Sequence, residues 1–169
     1  VSAATNGALT VRIYPGGELG AGPQQQYMRA VQGVADITFG LQGYTSSQFP
    51  RTLVAELPGL GTDPVQVTEG IWKAIDLIRD DYKGTVPLAI WTNEPNIVMS
   101  REKEVRTIDD LKGMKLRVPG AVMARVLEKL GGTPVPMPAT KMYESMQTGV
   151  VDGVMTGSTS IKGFKIDEV

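Results

Sequence analysis

Few side chains in this chain could do chemistry. Its 169 residues include no histidine and no cysteine. This excludes imidazole and thiolate nucleophiles, thiol redox centres, zinc-finger ligand sets and Ser-His-Asp triads. Acidic pairs occur at Asp80-Asp81, Asp109-Asp110 and Glu102/Glu104. All lie in hydrophilic, helix-cap or loop contexts, with nothing to separate their proton affinities by burial as acid–base catalysis requires. Glu144 on a helix face and Asp152 at a strand start read as structural. The stretch Gly16–Gly22 is glycine-rich after an apolar run, but its spacing is not GxGxxG and no Gly-Lys-Ser/Thr follows. It therefore reads as a tight turn and not as a phosphate cradle. No nucleophile–base constellation is visible, so the chain is expected to be neither an enzyme nor the holder of a cofactor or metal.

Arg117 is the exception. In Lys115-Leu116-Arg117-Val118 the alternation of a strand puts Leu116 and Val118 on one face and Arg117 on the other. The arginine also sits at the carboxyl end of that strand, just before Pro119-Gly120 and a helix start. A guanidinium at that place suits a small carboxylate. It equally suits a strand-edge arginine bonding a neighbouring carbonyl or Asp, and spacing alone leaves both readings open.

The elements that would position Arg117 alternate. Apolar runs predict strands at 9–14, 36–39, 86–91, 97–99, 115–118, 133–136 and 152–155. Helical spacing predicts helices from Pro23 to Gly33, over 65–82 with Ile71, Trp72, Ile75, Ile78 and Tyr82 on one face, from Val122 to Leu130, and over 140–148. Thr107 with Asp110 three residues on forms a capping box, and Met137 and Met142 read as core filler. Strand–helix–strand alternation implies right-handed crossovers and a mainly parallel sheet. Two segments echo one another: Gln32–Asp36 leading to Gly40, and Gln147–Asp152 leading to Gly157. Each ends a helix with Gly and starts a strand at Asp, which suggests two lobes built alike with a cleft between them. Ligands of such sheets sit beyond the carboxyl ends of strands, here the loops at 40–45, 118–121 and 156–160.

Composition fits this outline. The chain is 41% hydrophobic and 21% charged, with 17 basic and 18 acidic residues and a formal charge of −1. That describes a folded domain with no electrostatic footprint for nucleic acid. No run approaches the roughly 18 apolar residues of a membrane span. The start, VSAATNGALTVRIY, has no initiator Met, basic stretch or apolar stretch, and reads as a mature or trimmed product.

Longer stretches carry a resemblance. Ile108-Asp109-Asp110-Leu111-Lys112-Gly113-Met114-Lys115-Leu116-Arg117-Val118-Pro119-Gly120 resembles the signature stretch of the solute-binding proteins of TRAP transporters, the DctP family. So do Leu127–Pro138 (LEKLGGTPVPMP) and Met142–Gly153 (MYESMQTGVVDG), and Val11–Gly20 (VRIYPGGELG) fits the same family. These matches follow family order across nearly the whole chain.

The resemblance implies an α/β fold of the type II periplasmic-binding-protein kind, two α/β lobes around a ligand cleft, incomplete at both ends. Residues 1–92 and 157–169 would belong to the first lobe and 93–156 to the second, with one strand preceding residue 1 and a long portion following Val169. It further implies a periplasmic receptor that captures a small organic acid and hands it to the membrane subunits of a TRAP permease. Arg117 would be the carboxylate-binding residue. Thr156 stands where many members have the Asn of Glu-Asn-Pro, Asn96 where a second Arg is frequent, and Ala139 where an aromatic often packs on the ligand. Gln42 and Tyr44 offer polar contacts, while Leu41 and Trp91 are read as apolar walls or core. Together these departures suggest a roomier, less charged pocket, suited to a monocarboxylate with an apolar or aromatic body. The competing reading is a fragment or sensor lobe of the same fold without small-molecule binding.

Overall fold

The computed structural model describes residues 1–20 and 22–169; Ala21, within the glycine-rich stretch, lies outside the described residues. Around it the backbone turns as the sequence requires, with positive φ at Gly16, Gly17, Gly20 and Gly22. The loop is pinned by Arg29, whose guanidinium donates to the Gly20 and Gly22 carbonyls at 2.9 and 3.3 Å.

Among the described residues, four short strands make one mixed sheet: β1 (Ile97–Ser100), β2 (Lys115–Val118), β3 (Thr133–Pro136) and β4 (Gly153–Thr156). Their order is β1-β4-β2-β3, with β2 parallel to β3 and to β4, and β1 antiparallel to β4. Each begins or ends at Gly, Pro or a charged turn, which is why all four were legible. Glycine is required within the sheet itself: a β-carbon on Gly153 would collide with the Met99 carbonyl on the neighbouring strand.

The helices are α1 (Gln26–Val31), α2 (Pro64–Lys73), α3 (Ile75–Ile78), α4 (Ala121–Lys129), α5 (Met142–Gln147) and α6 (Ser160–Gly163). The single helix expected over 65–82 is broken. Asp63 caps α2 through the Val65 and Gln66 amides, Ala74 leaves helical geometry, and residues 79–82 form a 3-10 turn. Its apolar face survives the break: Ile71, Ile75 and Ile78 pack on a cluster of Phe49, Leu53, Tyr82 and Ile90. Gly33 and Gly149 both end helices in the left-handed region that glycine tolerates, as the echo implied.

One face of the sheet buries Leu116, Val118 and Met155 with Leu127 of α4 and Leu111 and Met114. A second cluster unites Met142, Met146, Val151 and Val154 with Ile166. Burial of fully enclosed side chains such as Leu116 and Leu127 stabilises by about 1.5–3 kcal/mol each. The closing segment, expected with the first lobe, packs on this second cluster through Phe164, Ile166 and Val169. The reason is the apolar spacing of those three residues, which needs a surface that Met142 and Val154 supply.

The runs at 9–14, 36–39 and 86–91, expected as strands, join no ladder. Period-two alternation describes a local preference, but a strand is completed only by hydrogen bonds to a neighbouring backbone. Leu9, Val11, Ile13, Ile37, Phe39, Val86 and Leu88 are correspondingly exposed.

Candidate functional site

Strand alternation sends Leu116 and Val118 into the first core cluster and Arg117 to the opposite face, where it is only 1% exposed. The flanking strands receive it. Nε donates to the Met137 carbonyl just past β3 at 2.8 Å, and Nη1 reaches the Met155 carbonyl in β4 at 3.5 Å. Nη2 is buried and has no hydrogen-bond partner. Burial depresses the guanidinium's proton affinity, and the hydrogen-bonding capacity of the nearby Tyr44 hydroxyl opposes that shift. The strand-edge reading thus accounts for two of the three guanidinium nitrogens and leaves the third.

Tyr44 belongs to a 3-10 segment over Gln42–Gln48. Its hydroxyl accepts a 2.9 Å hydrogen bond from the Ala139 amide, 95 residues away. Directly beside this contact the two loops meet backbone to backbone, and a β-carbon on Gly120 would collide with the Gly43 carbonyl. A cavity of about 250 Å³ adjoins this junction, lined in part by Tyr44, Ser46, Pro119, Ala121, Met137 and Pro138. None of its lining residues carries a formal charge.

Three other expected residues lie elsewhere. Leu41, Gln42 and Trp91 line a larger, open cavity of about 760 Å³ between residues 36–42 and 84–91. There Gln42 donates to the Tyr82 hydroxyl at 3.2 Å, and Trp91 stacks on Phe39 with ring centroids 5.5 Å apart. Thr156, at the carboxyl end of β4, is buried and paired with the Ser160 hydroxyl at 3.1 Å. Asn96 is exposed. The structure therefore brings together Arg117, Tyr44 and Ala139, and separates them from the Leu41, Gln42 and Trp91 set.

The carboxylates behave as structural groups. Asp81 is buried and accepts from the Arg51 amide, the Thr52 amide and the Thr52 hydroxyl at 2.7–2.9 Å. Asp110 closes the capping box with Thr107, and those bonds hold its carboxyl below the usual range. Asp152 accepts from the Lys115 amide, and Glu144 pairs with Lys141. Met142 is core, as expected. Sequence reasoning missed two features. One is Glu94, whose carboxylate accepts from Ser158 and from the amide and hydroxyl of Thr159. It fastens the chain entering β1 to the chain leaving β4, and the small Gly157 makes the approach possible. The other is Glu56, a carboxyl packed against Gly43 with one oxygen buried and unpartnered; burial pushes its proton affinity up. Nothing in their spacing marked either residue.

The family model for bacterial extracellular solute-binding proteins, family 7 (DctP), matches residues 1–169, and the chain belongs to that family. Among curated relatives, it is 30% identical to the C4-dicarboxylate-binding periplasmic protein DctP of Rhodobacter capsulatus, over 98% of this chain and 50% of that protein. Among solved structures, it matches a marine metagenome TRAP solute-binding protein specific for aromatic acid ligands, in complex with 3-hydroxybenzoate. The TM-score is 0.92 and the identity 33%, over 97% of this chain and 52% of the other. It also matches a TRAP solute-binding protein of Rhodoferax ferrireducens in complex with copurified benzoate, with a TM-score of 0.89 and 32% identity over 95% and 51%. The chain spans about half the length of the relatives it matches. Among the described residues no helix is long and apolar enough to cross a membrane.

Proposed function

We propose that this chain is the ligand-capturing part of a periplasmic receptor that clamps a small organic acid on Arg117 and delivers it to the membrane subunits of a TRAP permease. One observation carries this: a guanidinium 1% exposed with Nη2 unpartnered. A buried cation lacking a counter-charge is costly, and a ligand carboxylate supplies that charge through a charge-assisted bond. On this reading residues 1–92 and 93–156 form two lobes that close over the ligand. Thr156, Asn96, Gln42 and Tyr44 give polar contacts as the lobes move, and Leu41, Trp91 and Ala139 give apolar walls.

The ligand class is a monocarboxylate with an apolar or aromatic body. One guanidinium balances one carboxylate, and the uncharged lining beside it leaves a second carboxylate without a partner. The relatives with 3-hydroxybenzoate and benzoate bound are in keeping with this class. Titration calorimetry with benzoate and succinate tests it. Benzoate should bind at least about tenfold more tightly, a difference of about 1.4 kcal/mol. Preference for succinate overturns the ligand class, and binding of neither acid overturns the receptor reading for this chain.

A further inference from the structure

Tyr44 has a hydrogen-bonding arrangement with one side left over. Its oxygen accepts the Ala139 N–H. Its other polar neighbour is the Arg117 guanidinium, which has donors only. Among the described residues no group accepts the phenolic proton. The same is true of Arg117 Nη2, which is buried without an acceptor. The two groups meet at the same strand exit, from two parts of the chain: Arg117 Nε holds the Met137 carbonyl, and Tyr44 holds the Ala139 amide two residues on. A carboxylate, with two oxygens, satisfies both.

We infer that Tyr44 is the second carboxylate donor and, through Ala139, the latch that couples occupancy to closure; this rests on the reading of Arg117 as the carboxylate clamp. The coupling is electrostatic. A phenol that donates to an anion becomes a stronger acceptor, because consecutive hydrogen bonds polarise one another. Binding the acid therefore tightens the Ala139 N–H···O contact, which joins residues 42–48 to the chain after β3. The backbone contact of Gly43 with Gly120 sets how near the two parts come. Gly120 has extended φ and ψ near 180°, so glycine is needed there for space and not for conformation. A methyl group at that point wedges the junction.

The chain contains no cysteine, so spin labels attach only where cysteines are introduced, at exposed Lys73→Cys in α2 and Lys129→Cys in α4. The label–label distance is measured with and without benzoate, beside calorimetry and a thermal melt of each variant. The Tyr44→Phe variant should bind benzoate about 10- to 100-fold more weakly, the range of one hydrogen bond to a charged group. Its ligand-free distance distribution should also broaden towards longer values. Gly120→Ala should show the same broadening with the Tyr44 hydroxyl intact. Affinity of Tyr44→Phe within about twofold of the parent overturns the donor role. Weakened binding with an unchanged ligand-free distribution overturns the latch. If the parent chain binds no acid, the receptor reading falls, and the ligand-free distributions of the two variants still decide the latch. Should Tyr44→Phe fail to fold, Gly120→Ala carries that decision.

Discussion

Replacing Arg117 by Met tests binding and stability in opposite directions. Methionine keeps an unbranched stem of similar length and removes the charge. The variant loses the donor at Nη2 together with the 2.8 Å bond to Met137 and the weak 3.5 Å contact to Met155. Truncating one partner of a buried charged pair costs about 2–5 kcal/mol of binding, which is about 30- to several-thousand-fold in affinity. Stability should respond differently. Leaving the Met137 carbonyl unpaired costs about 1–3 kcal/mol, but removing an uncompensated buried cation relieves a penalty of several kcal/mol. The ligand-free variant should therefore melt at the parent temperature or above it, by about 2–4 °C for each net kcal/mol. Calorimetry with benzoate and a thermal melt read the two quantities on the same preparation. Affinity within about threefold of the parent, or a melting temperature that falls along with affinity, refutes the argument. The second result would make Arg117 a structural cation whose carbonyl contacts hold the sheet edges together.

Two further outcomes follow from the carboxylates. The Glu56 carboxyl is pushed up by burial, so it favours the folded state while protonated and loses that contribution as pH rises above the ordinary Glu value through its raised one. Glu56→Gln should then be more stable than the parent at neutral pH and equal to it below about pH 4; a constant difference across a pH series of urea melts would sink this assignment. Asp81→Ala removes the acceptor of three short hydrogen bonds at the start of the Thr52–Glu56 turn and strands two amides. It should lower stability by about 2–4 kcal/mol without altering the Arg117 region, whereas a change below about 0.5 kcal/mol in the urea midpoint series would contradict the buried-cap reading.

The acidic pair Asp80-Asp81 shows how far local pattern reaches. In sequence the two residues are equivalent. In the fold Asp80 is an exposed ion pair with Arg51 at 2.9 Å, while Asp81 is a buried cap. The Thr107–Asp110 box was legible because its donors and acceptors lie within four residues. Glu94 was not, because its partners Ser158 and Thr159 are 64 and 65 residues away. The three runs at 9–14, 36–39 and 86–91 were misread for the converse reason: their alternation is real, and the pairing that makes a strand is not local.

Residue order alone determined the four sheet strands, the helical stripes, the exclusion of thiol and imidazole chemistry, and the placing of Arg117 opposite Leu116 and Val118. These depend on side-chain types at periods of 2 and 3.6, which a linear reading contains. Tertiary structure decided the strand order β1-β4-β2-β3 and the packing of Ile166 on Met142 and Val154. It also decided the partners of Arg117 at Met137 and Met155, and the meeting of Tyr44 with Ala139. Each of those joins residues 12 to 95 apart in sequence, or selects one pairing among several that local energies leave equal, and only the folded packing of the whole chain discriminates between them.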